Sequence, residues 1–395
     1  MTEPRAARAA DGDPPVRVGI VCDYPDEGWP SMDLAGELLA LGLETYAAPE
    51  FVPVVLRPPM PRLARRLGSS RLALNADRCV GRYLTYPRWL EKLRHKPDLF
   101  HVVDHSYAHL VHALPAGRTV VTCHDLDAFR SILEPQREPR PYWFRKVMEQ
   151  ALTGLRRAAH VVCDTSVIRR RLVVRGVLPW ERISVVPLPV HPDFAAGPDP
   201  VADAEAARLL GPPDPRRPDL LHVGSTVPRK RIPFLLHVFA GLRRRWPDAR
   251  LVRVGGPMTD RQREVARDLG VEDAVLELPR LERPVLAAVY RRAALVLAPS
   301  GREGFGLPLV EAMACGTPVV ASSLRVFREV GGEAVIYRHL KDRQGWVDAV
   351  DSALWTGRDP REASRRRDFL LERAERFGLE AYARRLVRVY RRLER

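Results

Sequence analysis

An α/β protein with two parallel sheets, each covered by helices, is what this 395-residue sequence predicts. Three observations carry that prediction. Short apolar runs rich in β-branched residues alternate with amphipathic helical stretches from end to end. The length suits more than one domain of ordinary size. A proline-dense segment from Pro187 to Pro218 separates the runs into two sets.

In the first set the strand candidates are Val16–Cys22, Phe51–Leu56, Leu99–Val103, Arg118–Cys123, His160–Cys163 and Ile183–Val186. In the second they are Asp219–Val223, Arg250–Val254, Ala274–Leu278, Leu295–Ala298, Pro318–Ala321 and Ala334–Tyr337. The expected organisation is a disordered tail over 1–14, a first domain over 15–188, a semi-rigid proline-rich linker over 189–218, a second domain over 219–376 and a C-terminal helix over 377–395. The linker carries one short helical run, Val201–Leu210. In the last segment Tyr382, Leu386, Val389, Tyr390 and Leu393 recur at helical spacing after Phe377-Gly378.

Composition excludes several classes. The five cysteines (Cys22, Cys79, Cys123, Cys163, Cys315) are odd in number and never spaced C-x-x-C, so neither a disulfide framework nor a structural zinc site is supported. A reducing, cytoplasmic compartment is expected. No run approaches the ~18 apolar residues of a membrane span, and Met1 to Asp13 lacks the apolar region of a secretion signal. The net charge of +15 comes from arginine, since lysine occurs only at Lys92, Lys96, Lys146, Lys230 and Lys341. The arginines fall largely in helix-face repeats such as Arg243-Arg244-Arg245, which reads as solvated surface rather than a nucleic-acid interface.

The most informative segment runs from Ala298 to Ser322. A strand ends at Ala298, a loop carries Gly301, Gly304 and Gly306, and a helix opens near Leu307-Pro308. Exposed amides at such a helix start, with the positive end of the helix dipole, make an anion site. Glu303 in the loop and Glu311 one turn into the helix border the same place; carboxylates there suit sugar hydroxyls better than phosphate. A second anion site is expected where a strand runs into Gly224 and a helix starts near Lys230. Arg229, Lys230 and Arg231 at that helix start oppose its dipole and call for a compensating anion, such as a diphosphate, or full solvation.

The Glu303-x7-Glu311 spacing inside E-G-F-G-L-P-x-x-E-A-M-A-x-G-T-P-V-V-A-S resembles the retaining nucleotide-sugar glycosyltransferases of family 4, which have the GT-B fold. The resemblance extends through V-G-S-T-V-P-R-K at Val223–Lys230, Gly255-Gly256 and L-x-x-L-E-R-P-V-L-A-A-V-Y-R-R-A at Leu278–Ala293. It implies two Rossmann-like domains facing each other across a cleft, with the C-terminal helix returning to the first domain. It also implies that the second domain holds the nucleotide-sugar donor. Arg229 and Lys230 then match the basic pair on the donor diphosphate, Glu311 the acceptor of ribose hydroxyls and Glu303 the glutamate near the hexose. Phe305, Gly306 and Leu307 match the loop whose backbone contacts sugar and phosphate, and the Pro279–Leu281 turn, with Arg280 and Leu281, the loop lining the base; Gly224 and Gly304 are further donor-binding candidates.

The first half is expected to bind the acceptor. His124-Asp125 at the end of a strand resembles the family's H-D element, whose histidine lies close to the donor's anomeric carbon. Asp125 either fixes the imidazole's tautomer or caps the following turn. Asp125-Leu126-Asp127 is also a D-x-D, a metal-binding pattern of a different glycosyltransferase fold. A metal is superfluous if Arg229, Lys230 and a helix N-terminus neutralise the leaving diphosphate. Where many relatives have a Gly-Gly loop after the first strand, this chain has Gly28 and Trp29, which leaves the usual loop contact open and makes Trp29 a candidate to stack on a sugar. His105, Tyr107 and His109 are acceptor-site candidates, or else part of a helix N-terminal segment.

The resulting expectation is a hexosyltransferase moving sugar from a nucleoside-diphosphate donor to a hydroxyl of a glycan, glycolipid or small glycoside, with retention, no metal and no cofactor. Catalytic roles fall to His124, Glu303, Lys230 and Arg229. The alternatives are a GT-B sugar-nucleotide epimerase, or a peripheral membrane enzyme acting on a lipid-linked acceptor at the inner face of the plasma membrane. The basic stretch Pro61–Leu74 and the aromatic-basic run Tyr142–Lys146 would serve the latter. The oligomeric state is left open.

Overall fold

Each of the twelve apolar runs becomes a strand among the described residues of the computed structural model, which are 14–63, 71–214 and 216–394. They are β1 (Val16–Val21), β2 (Phe51–Leu56), β3 (Leu99–Val102), β4 (Thr119–Cys123), β5 (His160–Cys163), β6 (Ile183–Val185), β7 (Asp219–Val223), β8 (Arg250–Val254), β9 (Val275–Leu278), β10 (Leu295–Ala298), β11 (Val319–Ser322) and β12 (Ile336–Arg338). Every pairing is parallel, and the two sheets run β2-β1-β3-β4-β5-β6 and β12-β11-β10-β7-β8-β9. Parallel strands buried on both faces need continuous apolar runs; β4, β5 and β10 are buried along their whole length.

Both orders contain one reversal. In the first sheet the chain builds outward through β2 on one side of β1 and through β3 on the other. In the second it builds through β8 on one side of β7 and through β10 on the other. The loops leaving the carboxyl ends of β1 and β3, and of β7 and β10, therefore diverge to opposite faces and leave a crevice, the place where open α/β sheets bind ligands.

Two units result. Unit 1 comprises the chain through Pro187 together with Leu379 onward, and unit 2 comprises Leu188–Gly378. The helix Leu379–Leu393 thus belongs with the first sheet. It buries Tyr382, Leu386, Val389 and Tyr390 against Val18, Ile20, Leu38, Leu39 and Phe51. The Tyr390 hydroxyl lies 2.6 Å from Nδ1 of the buried His101, whose Nε2 is 2.7 Å from Thr122 Oγ1.

Residues 189–218, expected as a linker, pack into unit 2. Asp199 caps the helix Pro200–Leu210 by accepting from the Val201 and Ala202 amides. That helix is fixed by an Asp203–Arg291 pair at 2.5 Å and by Arg292 Nη2 donating to Gly211 O at 2.9 Å. Proline density here reflects turns around a docked helix. The expected tail, up to Asp13, and residues 64–70 of the basic stretch lie outside the described residues.

Candidate functional site

In unit 2 the loops after β7 and β10 are tied together by the Gly301 amide, which donates to Arg229 O at 2.7 Å. On this tie the predicted charges converge. Glu303 accepts from Arg229 Nη1 at 2.5 Å, from Lys230 Nζ at 2.7 Å and from Ser300 Oγ at 2.7 Å. Burial pushes the Glu303 carboxyl up, but Lys230 and then Arg229 outweigh it and hold it below the usual carboxylate range. The anion that the basic run called for is thus supplied by the chain itself.

The helix expected to start near Lys230 starts at Ile232. Pro228–Lys230 forms a 3-10 turn, and Arg231 takes the left-handed conformation at φ 56°. The cations therefore sit on a turn ahead of the helix rather than on its first turn, which relieves their conflict with the dipole. Gly224, at φ 150°, lets the Lys230 stem lie over the backbone, since a Cβ there would come within 3.1 Å of Lys230 Cε.

Gly306 caps the helix Leu307–Ala314 at φ 111°, a left-handed conformation that side chains resist, and a Cβ would meet Phe327 Cε1 at 2.8 Å. Gly304 precedes it in the loop. Phe305 is buried and lies edge-on to Phe377 at 5.6 Å, so it anchors the loop and leaves the backbone to do the contacting. Glu311 is buried on the helix and accepts from the Tyr290 hydroxyl at 2.7 Å. Burial pushes its carboxyl up to about 7, against the opposing Tyr290 hydrogen bond and Lys230. Arg280 is exposed and Leu281 half-buried in the turn between β9 and the helix Arg283–Arg292.

In unit 1 an acidic residue follows four neighbouring strands at their carboxyl ends: Asp23 after β1, Asp104 after β3, Asp125 after β4 and Asp164 after β5. His124 is turned into this cluster. Its Nδ1 lies 2.8 Å from Asp164 Oδ2 and its Nε2 2.8 Å from Val103 O, so both nitrogens are placed to donate. Burial pulls the imidazole down, but Asp164 and then Asp104 lift it to about 9. Of the two roles held open for Asp125, the turn cap is the one observed: its Oδ1 accepts from the Asp127 amide at 2.8 Å, and Asp164 is the partner of His124. Asp127 and Asp125 therefore meet through a backbone turn.

His105 lies between Asp104 and Asp125, at 3.2 and 3.3 Å. His105 opens the 3-10 helix His105–Ala113, which Asp104 caps by accepting from the Ser106 amide, so the helix N-terminal alternative describes this segment. Tyr107 and His109 are buried in it; Arg82 lies over the Tyr107 ring at 4.0 Å, and His109 Nε2 is 2.8 Å from Arg82 O. Asp23 is buried with neither carboxyl oxygen hydrogen-bonded, and burial followed by Asp104 pushes its carboxyl well up. Gly28 ends a 3-10 turn at φ 69°, and Trp29 stands half-exposed before the helix Pro30–Tyr46. Among the described residues no group of three His, Cys, Asp or Glu side chains is placed to hold a metal, and no helix is long and apolar enough to cross a membrane.

Sequence reasoning did not single out Ser300, Tyr290, Asp164, Asp23 or Arg82. The recurrence of aspartate one or two residues past β1, β3, β4 and β5 was a readable signal for Asp23 and Asp164. Arg82 carried none, because a π-helical turn, Gly81–Thr85, sets its direction.

The two parallel sheets and their switch-point loops define the GT-B fold. The model described as Glycosyl transferases group 1 matches residues 210–367, and that described as Glycosyltransferase Family 4 matches 32–194. The chain belongs to the family 4 glycosyltransferases. It is 33% identical over 291 residues to D-inositol 3-phosphate glycosyltransferase of Mycobacterium sp. (strain KMS), covering 71% of this chain and 61% of that protein's length. The fold is similar to sucrose-phosphate synthase from Thermosynechococcus elongatus, with a TM-score of 0.73 and 19% identity over 96% of this chain and 99% of that one. It is also similar to Anabaena HepE in complex with UDP and glucose, with a TM-score of 0.69 and 16% identity over 95% and 99%.

Proposed function

We propose that the protein transfers a hexosyl group from a nucleoside-diphosphate sugar to a hydroxyl acceptor, with retention at the anomeric carbon and without a metal ion. The observation that carries this reading is the convergence of Arg229, Lys230 and Ser300 on Glu303 beside the Gly306 helix start. Two cations already gathered by a carboxylate are preorganised for a diphosphate. As the glycosidic bond breaks, negative charge grows on the departing phosphate, and fixed donors stabilise it without reorganisation. Glu311 accepts from ribose hydroxyls, and Glu303 turns from the cations to the hexose.

No carboxylate is assigned as a nucleophile, and we favour displacement on the face the leaving group departs from, with that phosphate taking the acceptor's proton. Unit 1 supplies the acceptor side. Relatives named for D-inositol 3-phosphate favour a phosphorylated polyol as acceptor, and a neighbour holding UDP and glucose favours a UDP donor. A second reading, transfer to a lipid-linked acceptor at an anionic membrane surface, is favoured by Tyr142 and Trp143, both exposed, with Lys146 Nζ 5.5 Å from the Tyr142 ring.

The test is donor hydrolysis and thermal shift with UDP-, GDP-, ADP- and TDP-sugars, with and without EDTA, followed by acceptor trials with phosphorylated polyols and with lipid vesicles. Donor turnover that survives EDTA supports the reading. Indifference to every sugar nucleotide overturns it.

A further inference from the structure

Unit 1 carries a groove of about 590 Å³ between strand β6, the outermost of its sheet, and the C-terminal helix Leu379–Leu393. Four arginines line it: Arg169 from the helix Ser166–Val174 and Arg385, Arg388 and Arg392 from the C-terminal helix. The latter three stand at helical spacing on one face. Glu181 is the single acid among the lining residues.

The pairing pattern of the C-terminal helix separates this face from ordinary surface. Its arginines elsewhere are neutralised: Arg384 pairs with Glu380 and Arg391 with Glu50, each at 2.5 Å. Among the described residues, Arg385, Arg388, Arg392 and Arg169 form no ion pair with a carboxylate. Arg169 is instead held by stacking on Trp180 at 3.4 Å and by donating to Trp180 O at 3.0 Å. Burial and then Arg388 pull the Arg385 guanidinium below its ordinary range, and burial followed by Arg392, Arg182 and Arg169 pushes the neighbouring His160 down to about 4. The groove is concave and positive, with four arginines against one lining carboxylate, Glu181.

We propose that this groove binds a small soluble ligand bearing two or more linked phosphate groups, at a site separate from the Arg229–Lys230–Glu303 cluster. Volumes of roughly 300–1,000 Å³ hold ligands of that size. Planar guanidiniums match phosphate oxygens in pairs, and four arriving from two helices fit a chain of phosphates better than one isolated anion. Ser184 on β6 adds a neutral hydroxyl to the lining. The proposal does not depend on the transfer reaction, since every lining residue lies in unit 1 and the donor cluster lies in unit 2.

Inorganic tripolyphosphate, titrated calorimetrically into the full chain carrying Lys230→Ala at physiological salt, tests it with the donor cluster disabled. The expected result is saturable binding of one equivalent. Adding Arg388→Glu, a change at an exposed position, weakens it at least tenfold while the melting temperature holds; Arg388→Lys, which keeps charge but loses the fork, weakens it less. Absence of saturable binding, or equal binding after Arg388→Glu, overturns the proposal. So does association with phosphatidylglycerol vesicles in a chain that ignores soluble tripolyphosphate, which would make the face a membrane contact.

Discussion

The Tyr290 hydroxyl donates to Glu311 Oε2 at 2.7 Å inside unit 2, and this single bond serves a carboxyl that burial has raised from 4.5 to about 7. A carboxyl raised in the folded state binds its proton there more tightly than in the unfolded chain, so it favours folding at low pH. That contribution, about 3 kcal/mol, is full below pH 4.5 and is lost as pH rises through about 7. Under the proposed role of Glu311 as acceptor of ribose hydroxyls, the ionised form is the better partner, and donor affinity should rise across the same interval. Calorimetric Kd values for the donor between pH 5.5 and 8 check this; Glu311→Gln should flatten the profile and weaken binding roughly 10- to 100-fold.

Glu303 is held below its ordinary range, so its sign is opposite. Its contribution to stability is present above pH 4.5 and lost as pH falls through its lowered value. Replacing it by alanine strands Arg229 and Lys230 without a partner and is expected to cost several kcal/mol. Glu303→Gln keeps the volume and part of the hydrogen bonding, and is the variant in which chemistry can be read. We expect kcat/KM for transfer to fall roughly 10²- to 10³-fold in Glu303→Gln and at least as far in Lys230→Ala, with circular dichroism unchanged. Wild-type rates in both would remove these residues from the site.

His124 and Asp164 form a buried pair at 2.8 Å with the imidazole lifted from 6.5 to about 9. A base raised in the folded state stabilises it fully below pH 6.5, and that stability, about 3 kcal/mol, is lost as pH rises through about 9. Melting temperature followed from pH 6 to 10 should therefore decline in the wild type. In Asp164→Asn the decline should flatten around a lower starting value. An identical slope in the variant would show that Asp164 does not hold the proton on His124.

Gly255 sits at φ 123° with its Cα hydrogen directed at the backbone of the loop after β7; a Cβ would stand 2.7 Å from Gly224 O. Neither partner is a side chain that can swing away. Gly255→Ala should destabilise unit 2 by roughly 2 kcal/mol or more and displace Gly224, and with it the seat of Lys230. Chemical denaturation checks the first effect, and a loss of donor affinity larger than that of a remote alanine substitution checks the second.

How much was readable follows from the physics of each feature. Strands and their parallel sense were legible because β4, β5 and β10 are buried on both faces, which forces unbroken apolar runs. The loop and helix start at Leu307 were legible because a switch-point loop and a helix start need glycines at fixed offsets, and Gly306 shows the required conformation. Partnerships across sequence were not. Asp164 meets His124 forty residues away, and Tyr290 meets Glu311 through the packing of two helices. Helix onset at Ile232 rather than Lys230 also escaped, because a left-handed Arg231 leaves no compositional mark. The proline-rich segment misled for the opposite reason: proline marks turns whether the segment is tethered or docked, and contacts distant in sequence such as Asp203–Arg291 and Arg292 to Gly211 O distinguish the two.

The chain leaves unit 1 at Pro187 and rejoins it at Leu379. During synthesis at about 5–20 residues per second, the ribosome spends roughly 10–40 s on the intervening ~190 residues. Throughout that interval Leu38, Leu39 and Phe51 lack Tyr382, Leu386 and Tyr390, the residues that cover them in the finished protein. His101 waits as well for its bond to Tyr390. Unit 2, contiguous in sequence, can close first. The nascent chain therefore carries an uncovered apolar face on the part made earliest, and chaperone capture of a stalled intermediate should map to that face.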